Sequence, residues 1–179
     1  MTINTKRLVI RPLTMNDVES VHRWQADEET HEYVQPPITD ISETVEYLEM
    51  ITNEWEGDHQ TYYGFGIVLD DELIGEIVFT YGCGGCGRCA PGQAGIGYLI
   101  HKDFWGNGYE AEASEAMIEY CFSTIGAKEV FMDHNIDDLD SYKVIESFGF
   151  QMRIENEKCE YKEGKTYMRN TYVLHNPTL

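Results

Sequence analysis

The chain has 179 residues, enough for one well-packed domain, read here as spanning 1–179, and few for two. Its 32 acidic against 13 basic residues give a formal net charge of −19, which argues against nucleic acid and anionic membrane surfaces and suits a basic or polyamine-like partner. No run reaches the roughly 18 apolar residues of a membrane span, and the opening MTINTKRLVI lacks the apolar core of a signal peptide, so a cytoplasmic location is expected. Residues 7–13 read as a short strand that ends near Pro12, because proline removes a donor from the ladder. Thr14 then caps a helix, with Asp17 at capping-box spacing and Val18, Val21 and Trp24 on one face. A second helix starts near Ser42 and carries Val45, Leu48, Ile51 and Trp55 along one stripe.

From Thr61 the period becomes that of strands: TYYGFGIVL, a turn at Asp70 and Asp71, then ELIGEIVFTY make a hairpin. Residues 94–101 form a further central strand that runs into a glycine-bearing turn. A helix follows, with Ala113, Ala116, Met117, Tyr120 and Cys121 as its apolar stripe and Gly126 as its stop. Residues 129–133 are the next strand. Asp140 is positioned to cap a short helix with Val144, Ile145 and Phe148 inward and Gly149 at its end. Residues 150–159 and 165–174 complete the sheet around a turn at Lys162, Glu163 and Gly164. The sum is a single α/β domain: a mixed, mostly antiparallel central sheet flanked by helices.

The turn HKDFWGNGYEAEA carries the chemistry. A strand running through glycines into a helix start directs several free backbone N–H groups, and the positive end of the helix dipole, at one spot. That spot suits a pyrophosphate. The motif is neither Gly-x-Gly-x-x-Gly nor a Walker loop, and glycines in turns commonly do no more than make the turn.

Taken together, several stretches resemble the GNAT superfamily of N-acetyltransferases. They are Thr5 to Leu8, Arg11 to Leu13 with Asp17, Leu73-Ile74-Gly75, Gly97-Tyr98, Phe104 to Tyr109, Glu112-Ala113 and Ser141 to Phe150. The chain is most similar to the branch containing the ribosomal-protein N-terminal acetyltransferases, and the likeness runs in order over nearly its whole length. The resemblance implies acetyl-CoA as co-substrate, with its pyrophosphate held by the main chain of Gly106, Asn107, Gly108, Tyr109, Glu110 and Ala111. It also implies a primary amine as acceptor, either a small molecule or a protein N-terminus, and a monomer or homodimer. The family usually has Gln or Arg, Gly, and Gly or Ala where this chain has Trp105, Gly108 and Glu110. It favours Asn where Asp138 stands, and Lys or Arg is common at Asn107. Each change makes the cradle less welcoming to a polyanion. A catalytically inactive ligand-binding or interaction protein on the same fold, with a decayed coenzyme loop, is therefore the alternative.

Acetyl transfer to an amine needs a neutral nucleophile, a polarised thioester carbonyl and a proton for the departing thiolate. By the resemblance, the proton donor lies at the start of the last helical motif, where Ser141 and Tyr142 carry hydroxyls and Ser141 fits the branch pattern better. The carbonyl oxygen is expected near the backbone N–H groups of Tyr98, Leu99 and Ile100, where family members splay their central strands. Glu76, His134 and Asp133 are the candidate bases, with a water chain as the other route. Of the five cysteines, Cys83, Cys86 and Cys89 crowd one glycine-rich stretch. Their number and spacing do not make an extracellular disulfide framework, and three ligands leave a zinc site incomplete unless Cys121, Cys159, His101 or a second subunit supplies the fourth. A flexible loop of reduced thiols without metal is the expectation, with a metal site or an oxidation-prone thiol pair as the alternatives.

Overall fold

The computed structural model describes residues 1–56, 62–82, 90–161 and 164–178. Its elements in chain order are β1 (Ile3–Asn4), β2 (Leu8–Pro12), α1 (Val18–Gln25), α2 (Ile41–Glu56), β3 (Tyr62–Leu69), β4 (Glu72–Tyr81), β5 (Gln93–Ile100), α3 (Tyr109–Ser123), β6 (Glu129–Asn135), α4 (Leu139–Ser147), β7 (Gln151–Glu160) and β8 (Thr166–His175). The strands form one sheet in the order β1-β2-β3-β4-β5-β6-β8-β7. Every pair is antiparallel except β5 with β6.

Period-two alternation splits the core into two layers. Leu8, Ile10, Phe65, Ile77 and Phe79 pack against Ala113, Met117 and Cys121 of α3 and Ile145 of α4. On the opposite face Leu13 and Leu73 meet Val21 and Trp24 of α1 and Leu48 and Ile51 of α2. The stripe expected on α2 shifts by one position at its start: Thr44 is fully buried and Val45 only partly. The Trp55 side chain lies outside the described residues, as do Thr61, Lys162, Glu163 and the three crowded cysteines Cys83, Cys86 and Cys89. Cys121 and Cys159 are free thiols. Among the described residues, no group of His, Cys, Asp and Glu is placed to hold a metal ion, and no helix is long and apolar enough to cross a membrane.

Local chemistry fixes several ends. Asp70 and Asp71 both take positive φ, 47° and 68°, as the two-residue turn of the β3–β4 hairpin requires. Asp17 accepts from the Thr14 N–H at 2.8 Å and is gripped by both Nη atoms of Arg11, which ties the entry of α1 to the end of β2. One element was not expected and one expectation needs correction. The two-residue edge strand β1 is too short to show a period in the sequence. The cap of α4 is Asp138, whose Oδ1 accepts from the Ser141 N–H at 3.0 Å; Asp140, the expected cap, lies inside the first turn and pairs with Lys143 at 2.7 Å.

Candidate active site

β5 pairs with β4 from Ala94 through Ile100, but with β6 only at Gln93, Ala94 and Gly95. Beyond Gly95 the two parallel strands part, because β6 continues in register with β8 to Asn135 while β5 stays with β4. The result is an open strand edge in the middle of the sheet. The His101 N–H donates to Ile74 O at 2.9 Å on the β4 side. Alternation along the strand then sends the N–H groups of Gly97 and Leu99 to β4 and those of Tyr98 and Ile100 to the open edge. Of the three backbone donors expected here, Tyr98 and Ile100 are the ones available, and Leu99 contributes only wall.

The turn after β5 is built from short bonds. Trp105 Nε1 donates to Ile100 O at 2.7 Å, and Asn107 Nδ2 donates to Phe104 O and Trp105 O at 3.0 and 3.1 Å. Gly106 and Gly108 take φ of 72° and 75°, the left-handed region where a side chain is strained, and Gly108 is the N-cap of α3. The first intrahelical bond runs from the Glu112 N–H to Gly108 O, which leaves the amides of the first turn facing the cleft. The start of the chain buttresses this turn. Glu112 accepts from Thr5 Oγ1, the Arg7 N–H and Arg7 Nε at 2.6 to 2.7 Å, Arg7 Nη1 donates to Asn107 O, and its guanidinium lies 4.5 Å above the Tyr109 ring. The departures at Trp105 and Asn107 thus brace the turn, and the left-handed geometry is kept.

Three cavities meet at Tyr98. One of about 340 Å³ holds the turn and the open edge, with Tyr98, Leu99, Ile100, Gly106, Gly108, Glu110, Asp138 and Ser141 on its walls. A second, about 570 Å³, lies on the α1/α2 face over Glu76, Tyr47 and Tyr62. The third, about 210 Å³, fills the gap between β5 and β6 and is walled by His134, Asp133, Asp138, Ser141 and Arg169. Val34, from the segment between α1 and α2, lines all three. That segment is pinned from both ends of the cleft: Lys102 Nζ bonds Asp27 and Glu29 at 2.9 and 3.0 Å, and Tyr161 donates to Tyr33 O. A groove of about 680 Å³ between β1 and the outer face of α3 lies away from the open edge, and its Glu112 is already committed to Thr5 and Arg7.

The candidate residues separate by position. The Tyr98 hydroxyl donates to Ser141 Oγ at 3.1 Å, leaving the serine proton free to point elsewhere. Burial raises the Tyr98 pKa, so its hydroxyl stays protonated. Tyr142 faces the other way: its hydroxyl donates to Glu146 at 2.9 Å and its ring packs by His134 and Tyr172. Glu76, opposite Leu99 in the β4–β5 register, accepts from the Tyr47 hydroxyl at 2.9 Å; burial pushes its carboxyl up to about 7 against that bond. His134 is buried and has both ring nitrogens engaged, with Asn135 O and the Tyr172 hydroxyl, and Asp133 lies 3.5 Å from Arg169. The sequence reading did not single out the Tyr98 hydroxyl or the Glu29 to Gln35 wall. A tyrosine directly after the strand glycine was a visible signal for the first. An irregular segment without period gave none for the second.

Glu110 stands in the first turn of α3. Burial raises its pKa, its own N–H and Arg7 pull it down, and Asp140 and Asp138 add repulsion. Lys102 is occupied by Asp27 and Glu29, and Lys143 by Asp140, so neither is the partner of this carboxylate. A polyphosphate in the cradle then meets a carboxylate with no lysine paired to it, opposed by roughly 2 kcal/mol per charge at about 8 Å and an effective dielectric near 20 before screening and the pull of Arg7 reduce it. Glu110→Ala is expected to tighten acetyl-CoA binding several-fold, with a gain that shrinks as salt rises. Calorimetric titration at two ionic strengths checks this, and equal affinities at low salt would remove the repulsion.

The site thus combines a glycine-bearing turn at a helix start with a parallel strand pair that parts after three residues. The family model for the acetyltransferase (GNAT) domain matches residues 7–151, and the chain belongs to that family. It is 27% identical over 97% of its length, and 96% of the relative's, to the uncharacterized N-acetyltransferase YnaD of Bacillus subtilis. It is 25% identical over 97% of its length, and 94% of the relative's, to the uncharacterized N-acetyltransferase p20 of Bacillus licheniformis. Among solved structures, RimL, a ribosomal L7/L12 alpha-N-protein acetyltransferase in complex with coenzyme A, superposes with a TM-score of 0.82 at 17% identity, covering 98% of both chains.

Proposed function

We propose that the protein transfers the acetyl group of acetyl-CoA to a primary amine. The observation that carries this reading is the placement of cradle, open strand edge and carboxylate around one strand. The amides of residues 106–111 lie at one end of β5, the free N–H groups of Tyr98 and Ile100 along its edge, and Glu76 across the β4 register. The main chain of the cradle holds the pyrophosphate. Glu76 takes the proton of the incoming ammonium, which its raised pKa suits at neutral pH. The neutral amine then attacks the thioester carbon, and the Tyr98 and Ile100 amides receive the negative oxygen. As the C–S bond breaks, Ser141 gives its proton to the sulfur and is reprotonated by the second proton that the nitrogen sheds as the amide forms; the Tyr98 hydroxyl donates to Ser141 Oγ and steadies the serine oxygen in between.

Release of coenzyme A from acetyl-CoA over a panel of amines, alongside calorimetric titration with acetyl-CoA, tests the proposal. Binding without release for any amine would leave a binding protein. Ser141→Ala is expected to lower kcat by about tenfold or more and coenzyme affinity far less, because a proton donor acts in the transition state. Tyr142→Phe, whose hydroxyl is turned to Glu146, is the control. Equal small effects in the two variants would remove Ser141 from the reaction.

A further inference from the structure

The 570 Å³ cavity on the α1/α2 face has a one-sided chemistry. Its described lining carries Glu43 and Glu76 and no lysine or arginine. The histidine there, His31, has its Nδ1–H on Gln35 O, and burial lowers its pKa against that bond. Acceptor capacity is also left over there. Tyr47 spends its proton on Glu76 Oε2, and Gln25, 4% exposed, leaves its carboxamide oxygen without a partner. Gln35 adds a second carboxamide, and most of the rest is apolar or aromatic, with Val34, Pro37, Met50 and the rings of Tyr47 and Tyr62. Negative charge has no lysine or arginine to counter it in the described lining, and the volume suits a body of small-molecule size.

The geometry points to an acceptor that is a primary amine on an apolar or aromatic body with no carboxylate beside the amine. Its ammonium is drawn by Glu43 and Glu76, and its body lies against Tyr47, Tyr62 and Met50. A free α-amino acid is rejected because its carboxylate would enter beside the half-buried Glu76, with exposed Glu43 adding like charge and no lysine or arginine in the described lining to pair with it. This inference rests on the transfer reaction proposed above, and it narrows the acceptor within that reaction.

Three amines that differ in one group test it: 2-phenylethylamine, phenylalaninamide and phenylalanine. Each is assayed for coenzyme A release and, separately, for binding by calorimetry in the presence of coenzyme A. The expected result is turnover of the first two with kcat/KM at least 100-fold above that of phenylalanine, and the same order in binding. Phenylalanine used as well as its amide would overturn the inference while leaving acetyl transfer standing. Binding in the expected order without turnover of any amine would sink the transfer reaction and keep the pocket's preference. Glu43→Lys, at an exposed first-turn position of α2, localises the effect: it is expected to raise kcat/KM for phenylalanine at least fivefold and lower it for phenylethylamine. An unchanged ratio would show that the cavity is not where the carboxylate is refused.

Discussion

Glu76→Gln is expected to lower kcat/KM by about 10²–10⁴-fold at pH 8 and, at the same pH, to raise the melting temperature. Both effects have one source. Burial lifts the carboxyl from its ordinary 4.5 to about 7, with the Tyr47 hydroxyl acting against the lift. A group whose folded pKa is raised holds its proton more tightly folded than unfolded. Stability is therefore greatest below about 4.5, falls as pH rises towards about 7, and stays lowered above it. The glutamine is neutral at every pH and its carbonyl can still accept from Tyr47, so the variant escapes that loss, on the order of 1–3 kcal/mol. The two proteins should melt alike near pH 4, separate as pH rises from about 4.5 to about 7, and stay apart above it. Wild-type kcat/KM should rise with pH through about 7, and that limb should vanish in the variant. A variant that keeps the limb, or a wild type that lacks it, would take the role of base away from Glu76.

Gly108→Val is the second large effect. It is expected to weaken acetyl-CoA binding at least tenfold. Collision is not the cause, since a Cβ at this glycine meets only Arg7 Nη2, at 3.8 Å. The cause is conformational: at φ of 75° a β-branched residue is strained by roughly 1–2 kcal/mol. The relaxed alternative rotates the first-turn amides of α3 away from the cleft. Titration of the variant against acetyl-CoA, with circular dichroism to confirm folding, decides this. Unchanged affinity in a folded variant would move the pyrophosphate elsewhere.

How much of this was legible in the sequence depends on the range of the interaction. The α3 stripe of Ala113, Met117 and Cys121 follows from a local period, and the structure buries all three. The hairpin at Asp70 and Asp71 follows from turn chemistry, and both residues take the conformation that such a turn demands. The glycine turn before α3 was visible for the same reason. The open edge of β5 was not readable from residues alone, because it arises where β6 follows β8, a strand more than thirty positions away. Only the family likeness anticipated it. Asp138 shows the opposite limit. Aspartates at 137, 138 and 140 all look like caps, and which one meets the Ser141 N–H is settled by how α4 docks on β6.

The convergence of three cavities on Tyr98 and Val34 has an evolutionary consequence. On the proposed assignment, one ring and one aliphatic side chain partition donor, acceptor and leaving group, so neither can drift to suit a new amine without disturbing the handling of the thioester. Helix α2 has no such double duty: Glu43, Tyr47 and Met50 face the larger cavity and are absent from the walls of the other two. Acceptor preference can therefore diverge along one helix face, a turn at a time, over a donor site that stays as it is.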